Sequence, residues 1–557
     1  MLVAIPGKHA PNAFWKDGPQ KMPEQLISSN RSTIRFVVSA LVILVLLSIT
    51  LSWVSSAFQA VGGWAFFLGV LLLATAVLWL GWRLIRAESP PRWLARLLLG
   101  AALLRLAMGA IWFIALPLWG HESPTEQAGY VMADAHERDQ SAWELSQSEK
   151  PLTRAFQGRY QKFDQYGGLL FLSAFLYRYL GGEIHSPLQI VVITAAISAL
   201  GVLFVWAYSR RSWDDGVAHL AAWGFALYPE AVLIGSSQMR EAFTMTLTIA
   251  AFYGLVRYWR DRSRVSLALI LGALVLTAPL SPPAAGILVV MLVLQAVFIG
   301  RPLLQGQLTQ NRRLWLILGG LVFLILIGIW MSWSRFAPEG VTNPIALIGW
   351  WVRKSAQWQA HLSERASGWV QRIFDSTPEW THYPLLLAYG VVQPFLPAAL
   401  IDITSVRIWR WIAIWRAMGW ALLLPFLLYA PLRAWSKKGD RISRGLSVVV
   451  WSSILMASFR GGADMWDNPR YRVMFVGLQI ALASWAIYKQ RRDPDPLFKH
   501  VILGVLIILA WFVPWYLWRY IHLPWPIEEP FKVLGLGLVS VAFYGIWAWM
   551  GSRRKDG

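Results

Sequence analysis

Runs of about 20 apolar residues recur along the whole chain, and as helices each is long enough to cross a hydrocarbon core of roughly 30 Å. Residues 36–54 and 314–330 are two of them. The pattern predicts spans beginning near Phe36, Trp64 and Leu97, and about fourteen transmembrane helices in all. Two apolar stretches do not fit a simple crossing. Residues 167–180 are short, a length that suits an interfacial or re-entrant segment. Residues 384–400 contain Pro394 and Pro397, which interrupt a helix. Both predict helices lying in the outer membrane interface. No convincing internal repeat is visible, so the inverted-repeat signature of many secondary transporters is missing.

The polar positions between the runs set the orientation, because Lys and Arg favour the cytoplasmic side. The basic turn carrying Arg83, Arg86, Arg92 and Arg96 is therefore inside, and residues 119–165, long, polar and comparatively acidic, are outside. The alternation then continues. Arg210 and Arg211, residues 257–264, residues 301–313, residues 433–444 and residues 489–492 fall inside. Residues 235–240, 281–283, 334–383 and 459–472 fall outside. Residues 1–30 are polar, with Lys8, Lys16 and Lys21, and lack the compact apolar core of a signal peptide. The first span is thus expected to act as its own insertion signal, with both termini in the cytoplasm.

Composition changes this picture little. Of 557 residues, 56% are hydrophobic and 15% charged, fewer charges than a soluble domain of that length carries. A net charge of +21 would suggest nucleic acid in a soluble protein. Here the cations sit in short loops between spans, so no nucleic-acid partner is expected, and membrane lipids are. The 35 Trp suit rings that favour the membrane interface. The absence of Cys excludes disulfides and thiol catalysis.

Three outer segments could carry chemistry. The first contains Asp134, Glu137 and Asp139, with Asp164 farther on. The three carboxylates cannot share one helical face, since neighbours in space are three or four residues apart. A carboxylate held at a membrane face can serve as a general base or metal ligand; a solvated acidic loop is the plain alternative. The second is Gln238-Met239-Arg240-Glu241, an ionisable pair at the outer start of a span, with Glu230 facing the same side. A snorkelling Arg beside a dipole-favoured Glu would read the same. The third is Asp467-Asn468-Pro469-Arg470-Tyr471-Arg472, where two Arg flanking a Tyr could bind phosphate or simply anchor the interface. No Walker A, GxGxxG, HExxH or GxSxG pattern is present.

The order of these features resembles the GT-C glycosyltransferases, polytopic enzymes that use polyprenyl-phosphate-linked sugars, and in particular bacterial enzymes of the dolichyl-phosphate-mannose mannosyltransferase-like group. Asp139-Gln140-Ser141-Ala142-Trp143 is similar to that family's Asp-Glu-x-x-Tyr element, with Gln140 in place of Glu and Trp143 in place of Tyr. Asp134 is the competing candidate. Residues 163–182 look like a juxtamembrane helix, Glu241 like the acidic residue opening a core helix, and Arg470, Tyr471 and Arg472 like a late Arg-Tyr element.

The resemblance implies an all-α, polytopic membrane fold. Residues 1–96 would hold a cytoplasmic N-terminus and two additional spans. Residues 97–333 would form a GT-C-like catalytic core with an outer acidic loop at 118–166. Residues 334–409 would be an outer loop and interfacial helix, and 410–557 the C-terminal membrane helices.

It also implies an inverting transferase of the cell membrane, acting on the extracytoplasmic face. Asp139 or Asp134 would be catalytic, and Asp164, Arg240, Glu241, Arg470, Tyr471 and Arg472 would bind substrate. The donor would be a polyprenyl-phosphate sugar and the acceptor a lipid, glycan or protein. No cofactor is required, though a divalent cation near the acidic loop is compatible with it. Two other classes remain open at this stage. A lipid-linked glycan polymerase or ligase would lean on outer Arg or His, and a transporter or flippase would need ionisable residues near the midplane of several helices.

Overall fold

A computed structural model describes residues 24–300, 377–401, 406–461 and 468–556, with a few single positions between 316 and 353. Every regular element among the described residues is helical. Three long helices come first: α1 (Glu24–Ser55), α2 (Trp64–Leu84) and α3 (Arg92–Trp119). A polar excursion follows, carrying α4 (Pro124–Gln127), α5 (Ala133–Gln147) and α6 (Gly168–Leu180). Next are α7 (Leu188–Ser212), α8 (Asp215–Leu227), α9 (Pro229–Gly235), α10 (Glu241–Asp261), α11 (Arg264–Leu280) and α12 (Pro282–Gly300). The remainder is α13 (Glu379–Val392), α14 (Leu396–Ile401), α15 (Arg407–Trp435), α16 (Arg441–Arg460), α17 (Val476–Arg492), α18 (Pro496–Ile521) and α19 (Pro530–Asp556). The chain is a multi-pass membrane protein.

By length and composition ten of these helices can cross a membrane, or eleven if the bent pair α8 and α9, angled at 52°, forms one span. The difference from fourteen has identifiable sources. Residues 314–330 lie largely outside the described residues, as does most of the expected outer loop at 334–383. Helix α11 has 17 residues, about 25 Å at the α-helical rise, somewhat short of the hydrocarbon core. Helix α10 is 21 residues long but polar, with Thr244, Thr246 and Thr248 all buried. It packs between α7 and α11, so its hydroxyls meet protein and its composition need not satisfy lipid. The two stretches expected to lie in the interface are helical, and neither is a full span. They are α6, with 13 residues, and α13, with 14 residues and Pro384 inside it.

Helix α7 is the axis of the bundle. Of its membrane window, 94% is buried, and it packs against α2, α3, α8 and α10. Its 25 residues separate two polar ends by about 37 Å. At the C-terminal end, the Glu88 carboxylate accepts from Arg211 Nε at 2.7 Å and Tyr253 Oη at 2.9 Å, and Arg211 also reaches Asp261 at 2.7 Å. Trp213 donates to Asp440 at 3.3 Å, and Arg433 holds Asp493 at 2.6 Å and Asp495 at 3.1 Å. These groups come from the turns that charge alone assigns to one side. The segments assigned to the other side, α4 to α6, the α9–α10 turn and Arg470, meet at the N-terminal end.

The native chain has no Cys, so single cysteines report topology cleanly. Both Glu122 and Lys437 are exposed. Cysteines at these two positions are expected to be labelled by an impermeant maleimide from opposite sides of the membrane. Labelling of both from one side would overturn the arrangement.

Candidate functional site

The polar excursion is organised around α5, and its side chains fall into two stripes because residues four apart share a face. One stripe carries Asp134 and Arg138. Asp134 accepts from Arg470 Nη2 at 2.9 Å and stays half-exposed, at 53%. One turn on, the buried Arg138 guanidinium donates to the Gln238 carbonyl at 3.0 Å and lies 3.6 Å from Met239 Sδ. Burial lowers the Arg138 pKa, while the charges of Asp164, Glu241 and Asp134 oppose that fall and Arg240 adds to it. Asp134, Arg138, Asp164, Arg240, Glu241 and Arg470 therefore form one charged neighbourhood, although they come from four parts of the chain.

The other stripe carries Asp139 and Trp143. The Asp139 side chain has no exposed surface. It accepts from Tyr130 Oη at 2.6 Å, from Tyr177 Oη at 2.7 and 2.9 Å on its two oxygens, and pairs with His185 Nε2 at 2.8 Å. Burial first, and then the Asp139 charge, hold both phenols well above their ordinary pKa, so they remain donors. Trp143 stacks on the His185 ring at 5.2 Å and meets Tyr177 edge-on at 5.5 Å. Gln140 bonds His136 at 2.8 Å, and burial is the main cause of the lowered His136 pKa.

Local sequence explains how α5 and α6 are held. Arg178 of α6 gathers carbonyls from the end of α5 and just beyond, bonding Leu145 O at 2.6 Å, Ser146 O at 3.1 Å and Ser148 O at 2.7 Å. Those are groups a helix end leaves without partners. Asp164 caps the start of α6, its carboxylate accepting from Leu170 N at 3.0 Å. Gly167 sits at φ +77 with the Ala155 carbonyl 2.4 Å from where a Cβ would be, so only glycine fits this corner. Gly168 packs against the Pro279 carbonyl in the same way, at 2.3 Å.

The structure thus places Asp134 with Arg470, and Asp139 on a separate face in its own cage. Arg240 lies with its Nε 4.0 Å from Glu241 and its guanidinium 5.3 Å from the Tyr166 ring. Glu241 Oε2 is buried without a hydrogen-bond partner among the described residues. Tyr471 lies between Arg460 and Arg470, at 5.1 and 5.3 Å. Arg472 stands apart. It is buried, 3.5 Å over the Trp420 ring, beside the Glu230–Arg416 pair. Asp467 lies outside the described residues.

Sequence reasoning missed Tyr130, Arg138, Tyr177 and His185. Local spacing carries no signal for them, since the Asp139 partners are 9, 38 and 46 residues away. For a divalent cation the fit is poor. The Asp139 oxygens are taken by hydroxyl and imidazole donors, Asp134 by Arg470, and among the described residues no group of three or more His, Cys, Asp or Glu converges.

A second feature adjoins the cage. A cavity of about 960 Å³ runs between α3 and α15, lined by Leu104, Met108, Trp112, Trp411 and Trp415, with Arg407 at one end. Its rim is open, with Ile111 47% and Trp411 66% exposed. Trp112 also donates to Ser236 at 3.0 Å and lines the crevice that contains Tyr130.

Among solved structures, the chain is similar to those of the Archaeoglobus fulgidus oligosaccharyltransferase. The form tethered to an acceptor peptide containing the NVT sequon is 14% identical, with a TM-score of 0.39 over 76% of this chain and 54% of that one. AglB from the same organism, in complex with an inhibitory peptide and a dolichol-phosphate, is 13% identical, with a TM-score of 0.38 over 80% and 54%. The complex with Zn and sulfate is 15% identical, with a TM-score of 0.39 over 74% and 51%. The chain spans about half the length of these structures. No family profile matches it, and no curated protein does.

Proposed function

We infer that the protein is a membrane glycosyltransferase that moves a sugar from a polyprenyl-phosphate donor to a lipid, glycan or protein acceptor on the outer face of the cell membrane. The observation that carries this reading is the join between two environments. A buried carboxylate cage and an Arg-rich neighbourhood occupy one end of the bundle, and a broad apolar cavity between α3 and α15 shares Trp112 with the crevice that Tyr130 of the cage lines. A substrate with a charged phosphate and a long apolar tail needs that pairing. The tail would lie along α3 and α15. The phosphate would be met by Arg240 and Arg470, whose planar forks match its oxygens.

In the reaction the acceptor hydroxyl attacks the anomeric carbon while the bond from that carbon to the phosphate oxygen breaks. The electron pair leaves with the phosphate, and nearby guanidiniums stabilise it. The Asp139 cage supplies the base that takes the acceptor proton. No covalent glycosyl-enzyme is needed, so the product is inverted. Asp134, paired with Arg470, orients that Arg.

A short-chain polyprenyl-phosphate sugar tests the donor site. Arg240→Ala and Arg470→Ala are expected to raise the donor KM by tenfold or more, since hydrogen bonds to a charged group contribute about 1.5–3 kcal/mol. The Lys variants should restore only part of it, because Lys offers no bidentate geometry. An unchanged KM and kcat in both Ala variants would make these residues interfacial anchors and remove the donor site from this place.

A further inference from the structure

Within the Asp139 cage, only one of the four groups reaches the surface. The Asp139 side chain is 0% exposed and that of His185 26% exposed, whereas Tyr130 and Tyr177 are buried. A carboxylate already accepting two phenols and an imidazole, with no surface of its own, cannot touch an acceptor hydroxyl without dismantling its cage. His185 can. An ionised carboxylate offers only acceptors, so the hydrogen-bond network puts the His185 proton on Nε2, facing Asp139 at 2.8 Å. Nδ1 is then left as a lone-pair acceptor on the opposite side of the ring. Trp143, stacked 26° from parallel, and Tyr177, edge-on at 5.3 Å, fix the ring plane. The backbone beside it is fixed as well, since Gln238 donates to the Pro187 carbonyl at 2.9 Å.

We propose that His185 is the catalytic base and that Asp139 is its positioning partner. This rests on the glycosyl-transfer reading above. His185 Nδ1 takes the proton as the acceptor oxygen bonds to the anomeric carbon. The imidazolium is stabilised by Asp139 across the Nε2 hydrogen bond, and the proton then passes to water. The other titratable groups in the surroundings do not compete. Tyr130 on the segment before α5 and Tyr177 on α6 stay protonated donors. His136 on α5 is buried and bonded to Gln140. Glu137 is a nearby charge felt by His136, and Glu183 lies exposed on the His185 loop. The arrangement also gives Trp143 a purpose, as the surface on which the imidazole is laid.

The test compares His185→Gln with Asp139→Asn in the purified full chain. Gln can still donate to Asp139 while offering no base. His185→Gln is expected to keep its thermal stability and donor KM while kcat falls by about 10²–10⁴. It should also lose the acid-side limb that a general base imposes on the pH profile of kcat/KM. If His185→Gln unfolds, His185→Ala with added imidazole decides the matter: restored turnover supports the assignment, and none overturns it. Full activity in His185→Gln with an inactive Asp139→Asn would make Asp139 the base itself and leave the transferase reading intact. Full activity in both would remove this cage from the reaction altogether.

Discussion

Replacing Asp139 by Asn is expected to reduce sugar transfer by about 10²–10⁴, because the base His185 loses the carboxylate that positions it, while the protein still inserts and purifies. The cause is hydrogen-bond polarity. Asp139 accepts from Tyr130, Tyr177 and His185, and it has no water-exposed surface on which to rearrange. An amide presents an N–H donor where the carboxylate presented lone pairs, so the donors gathered on Asp139 must share one oxygen or reorient. His185 also loses the negative partner that fixes its tautomer. The substitution keeps shape and volume, which confines the damage to chemistry. Turnover of a polyprenyl-phosphate sugar and a thermal melt in the same detergent separate the two effects. Wild-type turnover in this variant would show that Asp139 is not needed to position the base.

The largest loss of stability is expected from Glu230→Gln. Glu230 opens α9 where it meets α8, and its carboxylate takes two bonds from Arg416 of α15, at 2.7 and 2.8 Å, with both side chains almost wholly buried. Arg472 lies alongside, held over Trp420 at 3.5 Å. Neutralising Glu230 leaves two guanidiniums buried together without that carboxylate. Breaking a buried pair by removing one partner costs about 3–5 kcal/mol. The double variant Glu230→Gln with Arg416→Met is expected to recover part of the loss, because it removes one of the two buried positive charges. Reversible denaturation in mixed detergent micelles would measure both. Equal stability of wild type and Glu230→Gln would mean that water or lipid headgroups already solvate this pair.

The two variants probe different kinds of information in the chain. The spans were legible in the sequence because crossing a membrane is a local demand: about 20 consecutive residues must each tolerate hydrocarbon. The sorting of the turns into two groups was legible for a similar reason, since each Lys or Arg is sorted by its own loop. This is why the turns at Arg211, Asp261 and Asp440 meet at one end of α7 and the acidic excursion lies at the other. That α6 is too short for a full span, at 13 residues, was legible in the same way. The alternation of turns makes α10 a span, yet its polar composition is tolerable only because α7 and α11 cover it, and that cover is not a property of its own residues.

The site divides in the same way. The sequence marked Asp134, Asp139, Arg240, Glu241 and Arg470 as ionisable groups at one membrane face, and it fixed that Asp134 and Asp139 could not share a helical face, since their spacing sets their angle around α5. It could not say what each would meet. Asp134 finds Arg470 across 336 residues, Asp139 finds His185 across 46, and Glu230 finds Arg416 across 186. Such pairings depend on the rotation and depth at which helices pack, set by the summed fit of many apolar contacts, each worth little. The tertiary structure therefore decided that Asp139 is enclosed while His185 reaches the surface, and that of Arg470 and Arg472, two residues apart, one meets Asp134 and the other Trp420.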